Sequence, residues 1–272
     1  MQFIQHIRTR PDNPPMSSTK VLFGFHAVGV RLKTAPQSVI EIHFDVSRRD
    51  ARMRSFFDRA TEVGCKMIES DGLRLSKLCG GHGHQGVVAR VKEIKLVTSL
   101  DELLENLEAA NADLPADQRV NPLILVLDGI TDPHNLGACL RVADGAGVHA
   151  VIAPKDHAAG INATVAKVAS GAAETVPYFM VTNLARTLNE LKERNIWIVG
   201  TSDQAAKTLY QTDLKGPVAL VLGAEGDGIR QLTAKTCDEL ISIPMQGAVE
   251  SLNVSVASGV CLYEALRQRT VG

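Results

Sequence analysis

A chain of 272 residues with 45% hydrophobic and 22% charged residues is globular in composition, with room for two domains at about 150 residues each, which excludes disordered and fibrous classes. The formal net charge of −1 averages two unlike parts: residues 1–99 hold 16 Lys/Arg against 9 Asp/Glu (+7), and residues 100–272 hold 13 against 21 (−8). A basic first part points to a polyanionic partner there and to different work in the remainder.

The opening MQFIQHIRTRPDNPP, with Arg8, Arg10 and three prolines, lacks the apolar core of a signal peptide, and residues 1–18 are expected to be a flexible extension. No apolar run reaches the roughly 18 residues a bilayer span needs, so no membrane association is expected. Cys65, Cys79, Cys139, Cys237 and Cys261 include no C-x-x-C pair, which indicates neither a disulfide framework nor a zinc cluster and fits a reducing, cytoplasmic setting.

Residues 19–96 predict a small α/β domain. VIEIHFDV at 39–46 and GVVARV at 86–91 read as strands, and Met53, Phe56, Phe57 and Ala60 form a helical core stripe. Arg48, Arg52 and Arg59 fall along one edge of that helix, a spacing that suits a phosphate backbone and equally a solvated face. His82 and His84 are too few ligands for a metal. Ser99-Leu100-Asp101-Glu102 fits a capping box opening a helix with Leu103, Leu104 and Leu107. Residues 101–118 hold six acids and no Lys or Arg, so 97–120 is expected to be an interdomain linker.

From 121 to 272 the pattern is α/β. Apolar runs at 123–127, 148–154, 176–181, 196–201, 218–223 and 239–244 alternate with helices from about His134, over 163–170, 184–194, 229–236 and 254–269. Such alternation predicts a mostly parallel sheet covered on both faces, with ligands at the carboxyl ends of its strands. Three loops there carry unusual residues. Asp128–Arg141 contains Asn135 and Arg141, six residues apart and so on different faces of a regular helix. Gly223-Ala-Glu-Gly-Asp-Gly228 sets Glu225 among glycines. Ile243–Ala257 crowds Ser251, Asn253 and Ser255 at a helix start, where any of them also serves as a cap.

Together and in this order, N-L-G-A-C-L-R at 135–141, L-V-L-G-A-E-G-D-G at 220–228 and I-P-M…S-L-N-V-S-V-A at 243–257 resemble the three motifs of the SpoU/TrmH-type RNA 2′-O-ribose methyltransferases of the SPOUT superfamily. G-x-H-A-V at Gly24–Val28 and H-Q-G-V-V-A at His84–Ala89 look like that family's N-terminal RNA substrate-binding domain. The resemblance implies a methyltransferase domain with a deep C-terminal trefoil knot, S-adenosyl-L-methionine as methyl donor, no metal, and a homodimer. By motif match it assigns Asn135, Arg141, Glu225, Ser251 and Asn253 to catalysis or substrate contact, and Gly223, Ile243 and Leu252 to the cofactor. T-D-P-H-N-L-G-A-C-L-R and C-D-E-L-I-S-I-P look nearest to members that methylate a guanosine ribose of 23S (large-subunit) ribosomal RNA. A transfer RNA methyltransferase and a non-catalytic RNA-binding assembly factor are the alternatives.

Arg141 is the family's usual candidate base, yet a guanidinium stays protonated at neutral pH. Its five fixed donors suit a phosphate clamp and the stabilisation of a developing alkoxide.

Overall fold

The computed structural model describes residues 19–92 and 97–271; the expected extension over 1–18 lies outside them. The chain divides into two compact units, Met1–Ile94 and Lys95–Gly272.

In the first unit the elements are β1 (Thr19–Phe23), α1 (Phe25–Thr34), β2 (Val39–Asp45), α2 (Ala51–Glu62), β3 (Met67–Ser70), α3 (Gly72–Cys79) and β4 (Val87–Lys92). The sheet order is β1-β4-β2-β3, with β4 antiparallel to both neighbours and β2 parallel to β3. Two helices start on aspartate caps: Asp50 accepts from Met53 N and Asp71 from Arg74 N, satisfying amides that the first turn leaves free. Met53, Phe56 and Ala60 are buried against Leu22, Phe25, Val28 and Ile42.

Two details of the expected stripe change. Phe57 is 38% exposed and makes an edge contact with Phe44 at the border of the core. Arg48 precedes the Asp50 cap, so it does not share a helix edge with Arg52 and Arg59.

The second unit holds α4 (Leu100–Asn111), β5 (Leu123–Asp128), α5 (Pro133–Gly145), β6 (Ala150–Pro154), α6 (Ala163–Ala169), β7 (Tyr178–Val181), α7 (Leu184–Glu193), β8 (Trp197–Thr201), β9 (Val218–Gly223), α8 (Gln231–Thr236), β10 (Glu239–Ile241) and α9 (Val254–Val271). The strands form one parallel sheet in the order β10-β8-β9-β5-β6-β7. Alternate residues of β5 feed two cores. Leu123, Leu125 and Leu127 pack with residues of α5, α6 and α9, and Ile124 and Val126 with residues of α4 and α7. Burial on both faces is why these strands are continuously apolar.

The stretch 97–120, expected as a linker, is in large part α4. Ser99 caps it by accepting from Glu102 N, and Leu103 and Leu104 are buried with Ile124, Leu188 and Leu191. The acidic composition marks the outer face of a packed helix, where Glu108 and Asp101 pair with Arg194. Leu104→Ala is therefore expected to lower stability by about 2–5 kcal/mol in chemical denaturation; a value below about 0.5 kcal/mol, as for an exposed linker residue, would contradict this packing.

Candidate active site

The order of the parallel sheet reverses at β5. The chain leaves β5 through α5 toward β6 and β7, then returns to build β8 and β9 on the other side. A crevice at the carboxyl ends of the strands forms at such a switch point. In register, Asp128 at the end of β5 faces Gly223 at the end of β9, so the loop into α5 and the 224–230 loop emerge side by side.

The second loop is folded back on its own strand. Gly228 N donates to Ala224 O at 2.9 Å, the two residues form an antiparallel bridge, and Gly226 and Gly228 adopt φ of +83° and +65°, which glycine reaches without penalty. A Cβ on Gly223 would lie 1.9 Å from the Gly228 carbonyl carbon. Gly223 is thus required by the turn itself, and the turn carries Glu225 outward.

Three of the expected residues meet there. Asn135, in the first turn of α5, donates through Nδ2 to Glu225 Oε1 at 3.3 Å. Asn253, just before α9, donates through Nδ2 to Asn135 Oδ1 at 3.0 Å and to the same Glu225 oxygen. Its Oδ1 accepts from Ser255 N at 3.0 Å and from Ser255 Oγ at 2.6 Å, so Asn253 is at once a helix cap and a member of the cluster. Among the described residues Glu225 Oε2 accepts no hydrogen bond, which leaves one carboxylate oxygen turned to solvent and available to a hydroxyl donor.

Arg141 is not in this cluster. It is exposed, about a turn and a half beyond Asn135 on α5, and its Nη1 donates to Ser170 Oγ at 3.4 Å. Ser251 is exposed in the 242–253 loop, with no side-chain hydrogen bond among the described residues. Ile243 is half-buried and packs against the larger core; Leu252 is half-buried beside Asn253. Gly223 closes β9, Ile243 follows β10 and Leu252 directly precedes Asn253. Cys139, on α5, is no nucleophile. Burial pushes its thiol up to about 11, opposed by the Ser258 hydroxyl, and a thiol is inert as such.

Asp128 is a site residue that the sequence left unassigned. It is 1% exposed. Its Oδ2 accepts the Arg230 N–H at 2.9 Å, tying the end of the Glu225 loop to the strand that leads to Asn135, and Oδ1 faces the Arg230 guanidinium at 3.6 Å. The available signal was a carboxylate directly after the apolar run LILVL, a position where burial demands a partner.

Comparison with known proteins decides the family. The profile of the SpoU rRNA Methylase family matches residues 122–263, and that for RNA 2′-O ribose methyltransferase substrate binding matches 21–97. The chain belongs to the SpoU methylase family. This SpoU chain is 60% identical over 256 residues, 94% of its length and 98% of the relative's, to a protein of Ralstonia nicotianae named 23S rRNA (guanosine-2′-O-)-methyltransferase RlmB. The protein of that name from Bordetella pertussis is 57% identical, covering 93% of this chain and 99% of the relative. Among solved structures, an RNA 2′-O ribose methyltransferase superposes with a TM-score of 0.68 at 24% identity, covering 93% of this chain and 90% of its own. The SpoU methyltransferase AviRb of Streptomyces viridochromogenes, solved with AdoMet, gives 0.65 at 24% identity, covering 93% and 92%. Both likenesses show the fold.

The Arg230 side chain is 47% exposed, so its ion pair with Asp128 contributes little while the buried backbone bond contributes more. Asp128→Ala is expected to cost about 1.5–3 kcal/mol of unfolding free energy, and Arg230→Ala less than about 1 kcal/mol. Equal costs in chemical denaturation would show that the ion pair, not the loop tie, is what matters.

Proposed function

We propose that this SpoU chain transfers a methyl group from S-adenosyl-L-methionine to the 2′-hydroxyl of a guanosine ribose in 23S ribosomal RNA, as a cytoplasmic homodimer. The observation that carries the reading is the hydrogen-bonded cluster of Asn135, Glu225 and Asn253, which joins one residue from each of the three motif loops. Relatives at 57–60% identity that span nearly the whole chain and are named for this reaction support the substrate. A solved TrmH/SpoU tRNA modifying enzyme of A. aeolicus covers only 62% of this chain, which weighs against the transfer RNA alternative. The reading also implies the family's trefoil knot. Gln268 and Arg269 of α9 are bonded to Thr212, Leu214 and Gly216 of the segment leading into β9, and Arg269 also to Asn121 and Pro122 ahead of β5, which fastens the C-terminal helix to the start of two central strands.

The bound cofactor would be held by Gly223, Ile243 and Leu252 and would supply an already activated methyl group. The protein's own work is then to align the ribose and assist loss of its hydroxyl proton. Alignment of two reactants is worth roughly 7–11 kcal/mol when the geometry is good. Asn135 and Asn253 fix one oxygen of Glu225, so its second oxygen points in a defined direction and can accept the hydroxyl proton in a hydrogen bond. Ser251 and Asn253 orient the ribose. The exposed Arg141 fork grips the target phosphate and stabilises negative charge developing on the 2′-oxygen.

Arg141→Ala is expected to slow methyl transfer to 23S RNA on the order of 10²–10³-fold. A retained rate together with unchanged RNA binding would remove Arg141 from this role. Mapping ribose methylation on large-subunit RNA from cells lacking the protein should show one guanosine 2′-O-methyl mark missing, and an unaltered map would overturn the ribosomal substrate.

A further inference from the structure

The first unit carries a second constellation, at the end of its sheet where β1 and β2 finish and β4 begins. The loop Gly80-Gly-His-Gly-His-Gln-Gly86 there is held rigid from within. His84 Nδ1 accepts from Gly86 N at 3.0 Å, His84 Nε2 lies 3.2 Å from Ser76 Oγ, and Arg48 Nη1 donates to Gln85 O. His84 is therefore occupied by the loop's own architecture. Gly86 has φ +84°, and a Cβ there would press on Arg48, Met53 and Asp45 at 3.2–3.4 Å.

Gln85 is different. It has φ +50°, a strained value for a residue with a side chain. It is exposed, and its amide makes no hydrogen bond among the described residues. The amide lies beside Gly24, with Oε1 3.7 Å from where a Cβ on that glycine would stand. Beside this loop, Phe23 is 44% exposed, with its ring edge 3.4 Å from where a Gly83 Cβ would stand; the glycine leaves the flank of the ring open. The guanidiniums of Arg48 and Arg52 lie over the Phe25 ring, 4.8 and 4.7 Å from its centroid. Arg48 is neutralised by Asp50. Arg49 and Arg52 have no carboxylate partner among the described residues, and both are exposed. Residues 19–92 hold 13 Lys/Arg against 7 Asp/Glu.

An exposed aromatic ring, an amide with no hydrogen bond and guanidiniums with no carboxylate partner, gathered around one loop, are what an unpaired nucleotide needs: a ring to stack on, a donor and acceptor for the base edge, and a cation for the phosphate. A duplex offers none of its base faces, because they are stacked. Resting on the ribosomal RNA reading above, we propose that this sheet end binds an unpaired nucleotide of the RNA substrate, with the base stacked on Phe23 and read by the Gln85 amide, and the neighbouring phosphates held by Arg49 and Arg52. The surface selects looped over fully paired RNA before the ribose reaches the methyl donor.

The test measures methyl transfer by the full chain to unmodified 23S RNA transcript, with competition by a single-stranded or a duplex oligoribonucleotide. Phe23→Ala is expected to raise KM for RNA about fivefold or more, within the range for loss of one stacked base, with kcat and S-adenosyl-L-methionine binding unchanged and rescue by Phe23→Tyr. Gln85→Gly separates recognition from folding. It relieves the positive φ, so the melting temperature should hold or rise while KM rises. Arg52→Ala should lower the slope of log affinity against log salt by about one. Wild-type activity competed by the single strand and not by the duplex, with that preference lost in Phe23→Ala, supports the proposal. Unchanged KM and preference in Phe23→Ala and Gln85→Gly, with wild-type transfer intact, would overturn it and leave the ribosomal reading standing. Absence of transfer to 23S RNA by the wild type would overturn that reading and this inference with it.

Discussion

The candidate site depends on the pairing of β5 with β9, two strands nearly a hundred residues apart that lie next to each other at the point where the strand order of the parallel sheet reverses. That pairing brings the α5 loop and the Glu225 turn to the same edge, and Asp128 then ties their bases together through the Arg230 amide. The cost of burying this carboxylate is offset only in part, by a backbone donor to Oδ2 and a half-exposed cation 3.6 Å from Oδ1, which accepts no hydrogen bond among the described residues. With that frame set, Asn253 needs only to arrive at the start of α9 for the cluster to close. Methyl transfer from an activated donor depends heavily on alignment, and alignment is what a strand-end frame of this kind supplies.

Much of the second unit is legible in its sequence because each of its central strands is buried on both faces. Runs such as LILVL and VALVLG have no solvent side to dilute their apolar character. The first unit is harder to read. Its β1 and β3 are short edge strands with mixed burial, and neither TKVLF nor MIES carries a clean alternation. The acidic 101–118 stretch misleads for a related reason: composition averages both faces of α4, whose four leucines are matched by four acids facing water.

At the site, residue types were legible and their grouping was not. Asn253 illustrates this. Capping and site membership look like competing explanations in sequence, yet its amide does both because the carbonyl oxygen serves the helix and the amino group serves Glu225. Asn135 and Arg141 share a motif and a helix, but a spacing of six residues on a regular α5 points them apart, and Arg141 reaches Ser170. Asp128 escaped notice because its partner comes from a loop about a hundred residues later. The basic character of the first unit, by contrast, is plain from charge counting alone; what counting does not supply is that Arg48 pairs with Asp50 while Arg49 and Arg52 have no carboxylate partner among the described residues.

The three cluster members lie 28, 90 and 118 residues apart in pairs, which has a consequence for how the protein becomes active. Closing such separations is slow and comes late in folding, after local helices and hairpins have formed. No short segment of the chain contains all three of these residues. The site therefore reports on the completed topology rather than on secondary structure, and a partly folded chain with most of its helices in place would still have no way to align its substrate.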